Sequence, residues 1–314
     1  MVGSNDTKQR RESIKPTDEV PFIVRILGGN VEAALQAGQL VANSERKDVQ
    51  GFAILFQDPP SLNSDELTRS LRSYHPSLAG AVFEVMHNGD AGFSGLAGWD
   101  GHVVRIFGLN APMPQAAVEE VVQPAHYPQE LKQHARAHKA HALLSSMGTV
   151  IDPLEEYVAL AVVSGVLAEY GAVVVCNSEA RTSFPVAPLA AGKVAGDSLY
   201  NLRSLPLLVL YCGLVKYNVE GIDGTWMRSY GAHRFGIPDL AALIPKDEKP
   251  QFYFDLFNSI CSYLRQTGAK IAAGQTAQFG EHLMRLRAPL AAEYFLESTG
   301  GLVVVEIVNP SEIN

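Results

Sequence analysis

Asp152-Pro153-Leu154-Glu155-Glu156-Tyr157-Val158-Ala159-Leu160-Ala161-Val162-Val163-Ser164-Gly165-Val166-Leu167-Ala168-Glu169-Tyr170-Gly171-Ala172-Val173-Val174-Val175-Cys176 is the stretch whose reading decides the kind of fold. From Tyr157 to Cys176 it carries one charge, Glu169, and it has the length of about 20 residues that a bilayer-spanning helix needs. Its internal punctuation points to another reading. Asp152 is placed as an N-cap, Pro153 at the first helical position and Glu155 at the third, while Gly171 stands where a helix ends in a left-handed residue. The stretch therefore reads as a buried helix over 153–169 followed by a short buried strand over 172–176, and not as a membrane span.

Upstream of it the same alternation of elements recurs. Phe52-Ala-Ile-Leu-Phe56 reads as an apolar strand, and Asn63 caps a helix with Glu66 at its third position and Leu67, Leu71 and Tyr74 on one face. Strands are expected at 80–86, 102–107 and 140–147, with glycine-rich turns over 88–98 and a helical stretch over 112–139 interrupted near Pro124 and Pro128. The order β-α-β-β-α-β is that of a ferredoxin-like split βαβ module, placed at 20–150 after a polar tail at 1–19. In front of the first strand, Ala34, Leu35, Gly38 and Val41 fall near helical spacing, so a helix there would cover part of the module. Residues 151–314 form a second α/β module, with a long strand over 205–215, a turn at Asp223-Gly224, a helix from Pro250 carrying Phe254, Phe257, Ile260, Cys261 and Leu264, and strands near 283–286 and 302–307. The fold class is thus α/β, or α+β in stricter usage.

Composition narrows the function. The 314 residues carry a net charge of −8, which disfavours nucleic acid and anionic membrane surfaces as partners, since both select clustered positive charge. Cys176, Cys212 and Cys261 are odd in number and lie in apolar runs, a pattern that fits a reducing cytoplasm better than a disulfide framework. The first twenty residues hold no signal-peptide core.

Tyr230-Gly-Ala-His-Arg-Phe-Gly-Ile-Pro-Asp-Leu240, the helix over 251–267 and Gly274-Gln-Thr276 resemble the bacterial domain-of-unknown-function family 4261, with weaker similarity at Ala140-His-Ala-Leu-Leu, Asp152-Pro153 and Asn110-Ala-Pro-Met-Pro114. The specific likeness covers about the last third of the chain. It implies bacterial origin and a cytosolic α/β fold, and it carries no catalytic residue over.

Motif by motif, the sequence gives little chemistry. His134, His138 and His141 stand at H-x3-H-x2-H, yet no HExxH glutamate accompanies them, and basic residues at a helix C-terminus complement the macrodipole without any metal. Pro188-Leu-Ala-Ala-Gly-Lys193 lacks the first P-loop glycine and has Val194 where magnesium needs Ser or Thr. Gly95, Gly98 and Gly101 run into a strand, against a dinucleotide fingerprint. Cys176 reads as a buried inert thiol, and the neighbouring carboxylates Glu119-Glu120 and Glu155-Glu156 face different ways on their helices. No cofactor and no metal is expected.

What remains is Trp226, Arg228, His233, Arg234 and Asp239, gathered in one short stretch with Gly231, Gly236 and Pro238. One reading makes them a binding site, because Trp and Arg dominate binding hot spots. The other makes them a structural corner in which Arg228 or Arg234 pairs with Asp239. The leading function is a non-catalytic cytoplasmic binding protein with a protein partner, one concrete form being an immunity-type protein that neutralises a toxin; the alternative is a hydrolase using His233 and Asp239. A deep pocket with those side chains converging would favour the enzyme, a flat apolar patch rimmed by acids the binder.

Overall fold

Phe52, Ile54 and Phe56 alternate with Ala53 and Leu55, and the strand they form, β1 (Gly51–Phe56), has apolar neighbours on both faces. A computed structural model describes residues 49–192, 196–296 and 300–309, together with 40, 42, 43, 46, 47 and 298. The expected tail at 1–19, nearly all of the helix expected ahead of β1, and Lys193-Val194 lie outside the described residues.

β1 is paired antiparallel with β5 (Ala140–Ser146) on one side and β6 (Ala172–Asn177) on the other. The sheet extends through β4 (His102–Leu109), β3 (Gly92–Trp99) and β2 (Val82–Gly89) at one end and β7 (Thr182–Pro185) at the other, giving seven antiparallel strands in the order β2-β3-β4-β5-β1-β6-β7. The mixed α/β class is as expected. The ferredoxin-like order, which sets the first strand beside the third strand of the split βαβ unit, is not the one formed: β5 stands between β1 and β4. The difference comes from the glycine run, which forms β3 rather than turns. A Cβ at Gly92 would come within 2.2 Å of the Gly108 carbonyl oxygen and one at Gly95 within 2.5 Å of that of Glu84, so glycine is what lets these strands close up. Moreover, β6 and β7 belong to the first sheet, so the division expected at residue 150 falls inside it.

The helices follow their sequence signals closely. In α1 (Ser64–Tyr74) the Asn63 side chain accepts the N–H groups of Asp65 and Glu66, and Leu67, Leu71 and Tyr74 are buried. Pro114 and Pro128 open α2 (Gln115–Val122) and α3 (Gln129–Arg136). The bilayer-like stretch is α4 (Pro153–Leu167), capped by Asp152 through the N–H of Leu154 and buried along nearly its whole length. It ends in a short 3-10 turn and Gly171 at φ +86°, after which β6 begins. Its apolarity on every side is that of a central core helix, and no described helix is long and apolar enough to cross a membrane.

The second sheet has the order β11-β12-β13-β10-β9-β8, built from β11 (Thr276–Phe279), β12 (His282–Arg287), β13 (Leu302–Val308), β10 (Asp239–Ile244), β9 (Thr225–Tyr230) and β8 (Gly213–Tyr217). Among the described residues only β10 and β13 are parallel neighbours. The long strand expected over 205–215 is shorter: after α5 (Ser198–Ser204), Pro206 starts the helical turn α6 (Leu207–Leu210), and β8 begins only at Gly213. Proline fixes φ and removes a ladder donor, so a strand cannot run through it. One contiguous core joins the inner faces of both sheets with α1, α4 and α7 (Pro250–Thr267).

Candidate functional site

Residues 225–239 form β9, a one-turn bend between Gly231 (φ +88°) and Gly236 (φ +69°), and the start of β10. Strand alternation sends Met227 to the shared core and Trp226 and Arg228 to the opposite, outer face of the second sheet. The register Ala241↔Arg228 places Asp239 on that outer face too. Trp226, Arg228 and Asp239 are therefore brought together, and all three are buried. His233 and Arg234 point elsewhere: His233 Nε2 lies 3.0 Å from Glu179 Oε1, and Arg234 Nε donates to the same oxygen at 2.7 Å.

Burial on the outer face is produced by the segment 291–296, whose Leu296 joins Trp226, Ala241 and Val304 in a separate apolar cluster and whose Phe295 meets the indole edge-on at 5.7 Å. Arg287 fastens this strap by two bonds to Glu293, at 2.6 and 2.7 Å, and by a further one to Glu306. Beneath it, Asp239 accepts the N–H of Ala232 at 3.1 Å and the hydroxyl of Ser298 at 3.2 Å. Burial raises the Asp239 pKa above the usual carboxylate range, against the opposing pull of these bonds and of Arg228. Among the described residues no ion pair links Arg228 to Asp239, and Arg234 is taken up by Glu179, so the simple Arg–Asp corner is not the arrangement formed. The Arg228 guanidinium instead lies 4.2 Å from the centre of the Tyr230 ring.

The other sequence motifs resolve into structure. His138 bonds the Ala135 carbonyl through Nδ1 and accepts the N–H of Met113 at Nε2, which fixes a neutral tautomer, and burial lowers its pKa. His141 lies on β5 and bonds the Ala111 carbonyl. The three cysteines are free and buried, and burial pushes the thiols of Cys176 and Cys261 up to about 12, which disables them as nucleophiles. The paired carboxylates part company as their helix positions require: Glu119 binds Arg136 and Glu120 lies near Arg181, while Glu155 binds Arg203 and Glu156 binds Arg46.

A second surface was not singled out by the motifs. Over β1 and β6 the outer face of the first sheet is covered by α2 and α3, whose Val118, Val121, Val122 and Ala135 pack on Ala53, Leu55, Val174 and Cys176. Among the described residues the helical cover stops past β5, where Leu40 and Ala42 also border the face. Phe107 and Leu143 stand directly opposite each other in the β4–β5 register, 50% and 48% exposed, and Met86 and Leu109 extend the patch. Two adjoining cavities of about 840 and 400 Å³ share Met86, Ser94, Leu96 and Phe107 on this face. The signal was present in β4, where Arg105, Phe107 and Leu109 alternate with buried Val104, Ile106 and Gly108. An arginine in phase with two apolar residues marks a face that is both apolar and wet.

No family model, curated protein or solved structure matches this chain.

Proposed function

We propose that this is a non-catalytic binding protein that seats a basic protein partner on the open face of the first sheet. The observation that carries the reading is the side-by-side exposure of Phe107 and Leu143 on an antiparallel surface hollowed by two adjoining cavities, since large exposed apolar patches with polar rims mark protein-binding sites. Glu84 on β2 and Asp90 and Asp100 at the two hairpin tips are exposed around it. With the net charge of −8, these acids suit a partner that carries a cationic rim about an apolar strip. An immunity-type protein that neutralises a basic toxin in a bacterial cytoplasm is one concrete form, and membership of family 4261 belongs to the same proposal, supported by residues 230–240. The hydrolase alternative gains nothing from the geometry, because His233 is turned to Glu179 while Asp239 is buried under Ser298.

The test is capture from extract of the native cell on immobilised protein, with a Phe107→Asp, Leu143→Asp double variant as control. A basic protein retained by the wild type, released as salt is raised and lost from the variant, is the expected result. Retention of the same proteins by both forms, or of none by the wild type, overturns the reading.

A further inference from the structure

Arg228 is 3% exposed, and its Nε is buried without a hydrogen-bond partner. A guanidinium is charged at every ordinary pH, and a buried charge is costly unless it is paired and hydrogen-bonded. The Tyr230 ring at 4.2 Å offers its π-face but no acceptor for the N–H groups. Asp239, the carboxylate on the same sheet face, spends its oxygens on Ala232 and Ser298. The Nε donor is left in the interior without an acceptor.

Two further groups converge on that place. The Tyr217 hydroxyl is buried with no hydrogen bond of good geometry, and it lies close enough to Arg228 for the guanidinium, by its charge and as a hydrogen-bond neighbour, to oppose the upward push that burial gives its pKa. In the β8–β9 register Tyr217 stands opposite Trp226, one diagonal step from Arg228 on the same face. Arg181, in the turn just before β7, lays its guanidinium 4.6 Å from the same Tyr230 ring and reaches the Tyr230 hydroxyl at 3.4 Å. It does so from a backbone at φ +48°, a left-handed conformation that a non-glycine residue holds only under strain. Its side chain is about half exposed, so the cluster reaches solvent where the β7 edge of the first sheet meets β8 of the second and Arg181 reaches Tyr230 of β9.

We infer that this seam is a binding site for a small carboxylate anion, held by the Arg228 guanidinium and the Tyr217 hydroxyl and entered past Arg181. The charge count selects the class. Arg181 already has Glu120 at 3.3 Å, whereas among the described residues Arg228 forms no ion pair and has only the more distant pull of Asp239, so a single negative charge at its guanidinium suits it better than a phosphate dianion. The planar guanidinium also matches two carboxylate oxygens with two parallel N–H bonds, and the hydroxyl supplies a third donor. The site is independent of the open apolar face.

Trp226, on the same strand and face as Arg228, provides the readout. The purified full-length chain is titrated with sodium formate, sodium acetate, sodium phosphate or sodium chloride at constant ionic strength, while tryptophan fluorescence and the melting temperature are followed. Formate or acetate should give a saturable fluorescence change and a rise in melting temperature that phosphate and chloride do not match. Tyr217→Phe should weaken that response about tenfold, as loss of one hydrogen bond to a charged group does, and Arg228→Met should abolish it. No saturable response to formate or acetate in the wild type overturns the site, and an equal response to chloride overturns its assignment to carboxylates. A response that survives Arg228→Met marks an adventitious ion only; should that variant fail to fold, an undiminished response in Tyr217→Phe overturns the inference.

Discussion

The outer faces of the two sheets are opposites. On the first sheet, Phe107, Leu143, Leu109 and Met86 are apolar side chains in water, whereas on the second, Arg228 and Asp239 are charged side chains out of it. Hydropathy alone would have assigned each residue to the other environment. What separates the two faces is a cover: the segment 291–296 closes over β9, β10 and β13, while α2 and α3 stop at β1 and β6. Burial of a sheet face is thus a property of what crosses it, and polar residues enter the interior when a crossing segment arrives with partners for some of their atoms.

The comparison is broken most directly at Trp226. Trp226→Ala should cost about 3–5 kcal/mol in denaturant unfolding, as for other buried aromatic truncations, because the indole fills the contact between sheet and strap. A loss near zero would mean that the strap does not cover the face in solution. Next is its fastening. Arg287→Met leaves Glu293 and Glu306 without their common partner and should cost about 1–3 kcal/mol. It should also speed amide exchange in β9 and β10 more than in β4 and β5, and equal acceleration in both sheets would refute a local strap.

Acid should loosen the same fastening. Burial raises the pKa values of Glu293 and Glu306, but hydrogen bonds from Arg287, joined by the Leu290 N–H at Glu293 and by Arg285 at Glu306, outweigh it, and both lie below the ordinary glutamate value. A carboxylate depressed on folding contributes stability that is present above its unfolded pKa, about 4.3 for glutamate, and lost as pH falls through the lower folded value. Wild-type stability should therefore decline below about pH 4, and Arg287→Met should flatten that decline. An unchanged acid limb in the variant would assign it to other carboxylates. The smallest effect belongs to the bare face, where Phe107→Ala should change stability by no more than about 0.5 kcal/mol. A loss of several kcal/mol would show that Phe107 is packed, and would remove the surface on which the proposed function rests.

Legibility varied by element in a way that has a physical cause. The caps of α1 and α4 and the stop at Gly171 were plain because they depend on bonds between near neighbours in the chain, as with Asn63 to Asp65 and Glu66 or Asp152 to Leu154. The glycines of β3 misled because a glycine that serves a turn and one that admits a neighbouring strand look alike until the partner, here Gly108 or Glu84, is in place. In α7 the buried set is Tyr253, Leu256, Phe257, Cys261 and Leu264, while Phe254 and Ile260 of the expected stripe are only half-buried. The helix was legible and its exact rotation was not, since an aromatic run such as Phe252-Tyr253-Phe254 offers several faces that could pack.

At the site, the stretch 225–239 could be picked out from its residue types, but its division into a buried trio and an outward pair could not. That division was decided by the register Ala241↔Arg228, which aligns Asp239 with the outer face, and by Glu179, from a distant turn, drawing His233 and Arg234 away. By itself, then, the sequence determined the capped helices α1 and α4, the apolar strands β1 and β6 and the mixed α/β class, because these arise from short-range bonding and from the patterning of apolar residues. Strand order, the extent of the first sheet across residue 150, and which of the two outer faces would be covered were decided only by the tertiary structure, because each depends on contacts between segments far apart in the chain, whose closeness no local pattern records.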